Sequence, residues 1–126
     1  MRQKRFILQE NEIPTHWYNI QADMPNKPLP PLNPATHKPL NADDLSHIFN
    51  KECSKQELDI EHAWIEIPEE VREKYTYYRS TPLVRAYALE EALGTPAHIY
   101  FKNESTNPLG SHKINSALPQ CSYCKQ

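Results

Sequence analysis

Glycine is nearly missing from this chain: Gly94 and Gly110 are the only two in 126 residues. A glycine-rich loop, whose backbone N–H groups could surround a phosphate, is therefore not in the sequence. Long apolar runs are missing as well, and none approaches the ~18 residues of a membrane span. The N-terminus, MRQKRFILQE, is basic, but its apolar stretch is only Phe6-Ile7-Leu8. A secretory signal needs about 7–15 apolar residues there, so the expected location is cytoplasmic. Excess charge of one sign is absent too. A net charge of -2 gives no electrostatic case for nucleic acid or an anionic membrane. Cysteine is limited to Cys53, Cys121 and Cys124, an odd number that implies no disulfide framework in a reducing compartment. With 38% hydrophobic residues, the expected core is partial.

Proline, by contrast, is plentiful, with 12 in all and seven of them before residue 41. Residues 1–40 therefore read as a proline-rich extended arm, opened by a short strand at Arg5–Leu8. NKPLPPLNPATHKPL cannot be regular helix, because each proline removes a backbone donor and restricts its predecessor. Residues 41–78 read as a helical lead-in. Asn41 is placed to cap a helix whose first turn holds Asp43 and Asp44, with Leu45, Ile48 and Phe49 along one face. KQELDIEHAWIEI fits helix or strand. PEEVREKY fits a helix with Pro68 at its first position.

Residues 79–126 read as the start of an α/β domain. A turn at Thr81-Pro82 leads to a helix with Leu89, Ala92 and Leu93 on one face and Gly94 just past its end. AHIYFKNE is rich in strand formers. After the loop STNPLG, Ser111 is placed to cap a helix carrying Ile114, Ala117 and Leu118. Lys113 then falls in the first turn. Partial positive charge there, together with partial burial, disfavours a protonated amine. A lysine that forms a Schiff base needs its free amine, and the same helix end suits a phosphate. An aldehyde bearing a phosphate, pyridoxal phosphate, meets both conditions. On these residues alone Lys113 stays open between that role and a solvated surface charge, and His112 between a ligand and a surface residue.

The pattern TPL, a short helix, a strand ending in Lys-x-Glu, then Gly-Ser-His-Lys-x-Asn resembles the tryptophan synthase β chain. PTHWYNIQADMPNKPLPPLNPATHKPLNADDL is similar to the lead-in of the class with a long N-terminal extension. The resemblance covers about Thr15 to Gln120. It implies a fold-type II pyridoxal phosphate enzyme that joins serine and indole to give tryptophan and water. It also implies that Lys113 bonds the cofactor and moves protons, that His112 helps hold the cofactor phosphate, and that Asn115 orients the site. Such enzymes are several times longer. The chain is thus expected to be an N-terminal part, inactive alone, with a homodimer or a complementing C-terminal chain as partner. The alternative is a non-catalytic segment that binds such a chain.

The last stretch, SALPQCSYCKQ, departs from the family pattern. Pro119 falls inside the expected helix, where proline costs about 3 kcal/mol, and a kink is expected there. Cys121 and Cys124 form a C-x-x-C, but no second ligand pair or thioredoxin-like context accompanies it, so it reads as chance.

Overall fold

The computed structural model describes residues 2–125. The described residues form five short strands and five α-helices, with three 3-10 turns between them. The strands and helices are β1 (Arg5–Phe6), β2 (His16–Tyr18), α1 (Ala42–Leu45), α2 (Lys51–Glu57), β3 (Trp64–Glu66), α3 (Glu69–Thr76), β4 (Leu83–Arg85), α4 (Tyr87–Leu93), β5 (Tyr100–Lys102) and α5 (Ile114–Tyr123). No helix among the described residues is long and apolar enough to cross a membrane.

Two antiparallel sheets join distant parts of the chain. In the first, β4 lies between β1 and β5, with Val84 opposite both Arg5 and Phe101. In the second, β2 pairs with β3 through Trp17 opposite Ile65. Before α1, the loop NPATHKP closes on itself. The Asn33 side chain accepts from the amides of Ala35 and Thr36, and Leu32 bridges to Pro39. Asparagine does this because its short amide can imitate a backbone turn.

Helix ends follow local chemistry. Asn41 caps α1, accepting from the Asp44 amide at 2.9 Å while Asp44 reaches back to the Asn41 amide at 3.0 Å. The helix stops at Leu45, so Ile48 and Phe49 do not continue its face and lie exposed. The stretch that fitted either helix or strand divides. It is helical to Glu57, turns at Asp59, whose carboxylate accepts from the Glu61 and His62 amides, and is extended from Trp64. Pro68 stands one place before the first residue of α3. Gly94 ends α4 at φ 57°, in the left-handed region. No atom lies within 4 Å of where a Cβ would stand at Gly94. Gly94→Ala should therefore cost about 1 kcal/mol of backbone conformation alone, read from the urea midpoint.

The core is small. Ile67, just before α3, is buried with Val71 and Tyr75 of that helix, and Trp17, Tyr78 and Leu118 pack against them. Val71 and Tyr75 fall at i, i+4, the spacing that puts two side chains on one helical face. α4 turns its apolar residues outward and buries Glu90 instead. Glu90 accepts from Arg85 Nε at 3.0 Å and from the Ile99 amide at 2.8 Å, which ties α4 to β4 and to the approach to β5.

Pro119 does not end α5. It is buried inside a helix that continues to Tyr123. A proline at 119 has no N–H for the Asn115 carbonyl. That carbonyl instead accepts from the Tyr75 hydroxyl at 2.7 Å. The helix runs on past the proline, and α3 supplies a donor for the carbonyl that Pro119 leaves without one.

Candidate functional site

The segment from Glu104 to Asn115 is shaped mainly by one side chain. Asn107 is buried, and its Oδ1 accepts from the Leu109 amide at 3.0 Å and the Ser111 amide at 3.3 Å. Its Nδ2 donates to the Ser111 carbonyl at 2.9 Å and to Glu104 Oε2 at 3.0 Å. Gly110 completes the turn at φ 59°, a conformation that side chains with a Cβ adopt at a cost. Its Cβ position would meet only the Ser105 carbonyl, at 4.0 Å, so the backbone angle rather than crowding asks for glycine.

Glu104 is the second organiser. Its carboxylate accepts from Thr81 Oγ1 at 2.8 Å, from Asn107 and from Asn115 Nδ2 at 3.2 Å. Burial alone would raise the Glu104 carboxyl. The three hydrogen bonds and the nearby Lys102 charge together hold it below the usual range. Lys102 donates to the Thr81 carbonyl, and burial lowers its amine. Asn115 is held from both sides, since its Oδ1 accepts from the Tyr78 hydroxyl at 2.9 Å. Burial, the foremost cause, pushes the Tyr78 phenol up to about 12, so it remains a donor at neutral pH.

The cap of α5 differs from expectation. Lys113, not Ser111, occupies the N-cap position, with helical angles of φ -58° and ψ -28°. Ser111 still contributes, accepting from the Lys113 amide at 3.4 Å. The shift follows from Asn107, whose two bonds to Ser111 hold that residue in the loop. Lys113 is exposed. His112 and Asn115 line a cavity of about 440 Å³ with Trp17, Tyr75, Arg79 and Pro119. The Arg79 guanidinium lies 4.3 Å over the Tyr75 ring. The structure thus brings His112 and Asn115 together at the cavity, while Lys113, between them in sequence, is not among its lining residues. Asn107, Tyr75 and Tyr78 were not anticipated. For Glu104 a signal did exist in the Lys-x-Glu that closes the strand.

The donor set suits one end of an aldehyde phosphate better than the other. Lys113 offers an accessible amine, and His112 an imidazole one residue away. The amides of Gly110, Ser111, Lys113, Asn115, Ser116 and Ala117 are committed to internal bonds. Apart from the His112 and Ile114 amides, a phosphate would draw on N–H donors outside this segment. No cluster of three or more histidine, cysteine, aspartate or glutamate residues among the described residues could hold a metal ion.

Fold and site together define a mixed helix-and-strand unit of α/β character that presents a lysine at a helix entrance. No family model matches the chain. Curated relatives are more particular. The chain is 51% identical over 118 residues to tryptophan synthase beta chain 2 of Thermotoga maritima, which covers 94% of this chain and 28% of that protein. It is 50% identical over 121 residues to the tryptophan synthase beta chain of Thermococcus gammatolerans, covering 95% and 27%. To tryptophan synthase beta chain 2 of Methanosarcina mazei it is 45% identical over 123 residues, covering 98% and 28%. By homology the chain belongs with the tryptophan synthase β chains, and it spans a little over a quarter of the length of these relatives.

Proposed function

We propose that this chain carries the cofactor-lysine segment of a tryptophan synthase of β type, with Lys113 as the amine that holds pyridoxal phosphate. The observation that carries this reading is the family match across nearly the whole chain, the Gly-Ser-His-Lys-x-Asn loop included, in a fold that leaves the Lys113 amine accessible. The reaction would replace the hydroxyl of serine with indole, releasing water. Bound pyridoxal phosphate supplies the electron sink for charge developing at the serine Cα. Lys113 Nζ would hold the cofactor and take the proton from that Cα. His112 would help hold the phosphate. Asn115, fixed by Tyr78 and Glu104, would keep the first turn of α5 in place.

The test is reductive trapping. Full chain mixed with pyridoxal phosphate, reduced with borohydride and digested should carry the pyridoxyl label chiefly at Lys113. Lys113→Ala should lose that label while the other lysines keep their background. An even spread over surface lysines would overturn the assignment.

A second reading, a segment that acts by binding a complementing polypeptide, is favoured by the outward apolar face of α4. Leu89 and Leu93 there are 48% and 62% exposed. A chain spanning 27–28% of its relatives leaves ample family sequence to cover that face.

A further inference from the structure

We infer that Cys53 and Cys124 form a thiol pair that a low-molecular-weight disulfide converts into an internal disulfide joining α2 to the end of α5. The C-x-x-C pattern directs attention from Cys124 to Cys121, but the fold brings Cys124 to α2 instead. The Cys53 amide donates to Asn50 Oδ1 at 2.8 Å. The same Asn50 amide group donates through Nδ2 to the Gln120 carbonyl at 3.4 Å. That carbonyl also accepts from the Cys124 amide at 3.0 Å. A single side-chain amide therefore stands between the backbones of two cysteines far apart in sequence.

The neighbouring contact agrees. Gln56 donates to the Tyr123 hydroxyl at 3.2 Å. Cys53 and Gln56, three residues apart, are neighbours on α2, and Asn50 caps that helix one turn before Cys53. Two of the three bond to α5, so Cys53 between them faces the same seam. Neither bond across the seam involves Cys121. All three thiols are free, with Cys53 half-buried and Cys121 and Cys124 exposed. Burial foremost raises the Cys53 thiol, and the Cys124 thiol adds to the effect, which fits their closeness.

The exposures set the order of events. The Cys124 thiolate attacks one sulfur of the small disulfide, forming a mixed disulfide and releasing one small thiol. Cys53 then attacks the Cys124 sulfur and releases the second. Two protein thiols lose two electrons and two protons, and both appear on the two small thiols. The bond closes a long loop, the case in which a cross-link constrains the unfolded chain most. It would also fix Cys53 and Gln56, which line the cavity from α2, against the helix that bears Asn115.

The test is exchange with oxidised glutathione on the full chain, alkylation of remaining thiols, and digestion with trypsin and chymotrypsin. Cleavage after Tyr123 separates Cys121 from Cys124. The expected product links Cys53 to Cys124, leaves Cys121 alkylated, and melts at least about 5 °C higher until reduced. Cys121→Ser should still form the link, and Cys53→Ser should not. A Cys121–Cys124 bond, stable glutathione adducts, or three alkylated thiols would each overturn the pairing. The wild-type digest decides this even if a variant fails to fold.

Discussion

Tyr75→Ala is expected to cost about 4 kcal/mol of stability, as for truncation of other fully buried aromatic side chains. Domains of this size have only about 5–15 kcal/mol in total, so most of the reserve would go. Tyr75 is fully buried at the centre of the only core cluster among the described residues, against Ile67 and Val71. Its ring lies under Arg79, and its hydroxyl serves the carbonyl that Pro119 leaves without a helical partner. Tyr75→Phe isolates the hydroxyl. It should cost about 1–3 kcal/mol, the range for stranding a buried acceptor. A double-mutant cycle then separates packing from hydrogen bonding. In Pro119→Ala, residue 119 regains an N–H for the Asn115 carbonyl, so Tyr75→Phe should cost less there. Equal losses in the two backgrounds, read from urea midpoints, would rule out Tyr75 as the substitute donor.

Glu104→Ala is expected to cost about 2–3 kcal/mol, because it leaves donors on buried Thr81 and Asn107 and on Asn115 without their charged acceptor. Its pH signature is specific. The folded Glu104 carboxyl lies below its ordinary value of 4.5, since three hydrogen bonds and Lys102 outweigh burial. The contribution is therefore complete above the unfolded glutamate's range and is lost as pH falls through the lower folded value. Asp59, Glu70 and Glu90 are also held low and share the acid limb. Glu104→Gln should flatten only part of it, seen as a smaller drop in urea midpoint below pH 4.5. An unchanged acid limb would mean the carboxylate charge does not hold the loop. The same variant should lower the share of trapped pyridoxyl label at Lys113, because Asn107 and Asn115 shape the backbone on either side of it.

What could be read in the sequence was local. The Asn41 cap, the helix after Pro68, Gly94 at the end of α4 and the strand at Tyr100–Lys102 each depend on a few adjacent residues, and each is present. β4 went unread because its three residues are too short for a period to show. Pro119 shows the same limit. Its local cost is visible, but the donor that serves the freed Asn115 carbonyl lies forty residues before Asn115, on α3. The site divides the same way. Lys113, His112 and Asn115 stand out in a short motif. The side chains that shape their loop, Glu104 and Asn107, look like ordinary polar residues until their partners are known.

The sheet order also has a consequence in time. β1 is synthesised well before its partner β4, which follows nearly eighty residues later. β2 likewise waits almost fifty residues for β3. Pairings of such long separation close large loops and form slowly, whereas α3 and its capping turn need only their neighbours. The N-terminal strand is thus fastened last during folding. With only two paired residues it should also exchange its amide hydrogens first, well before those of α3.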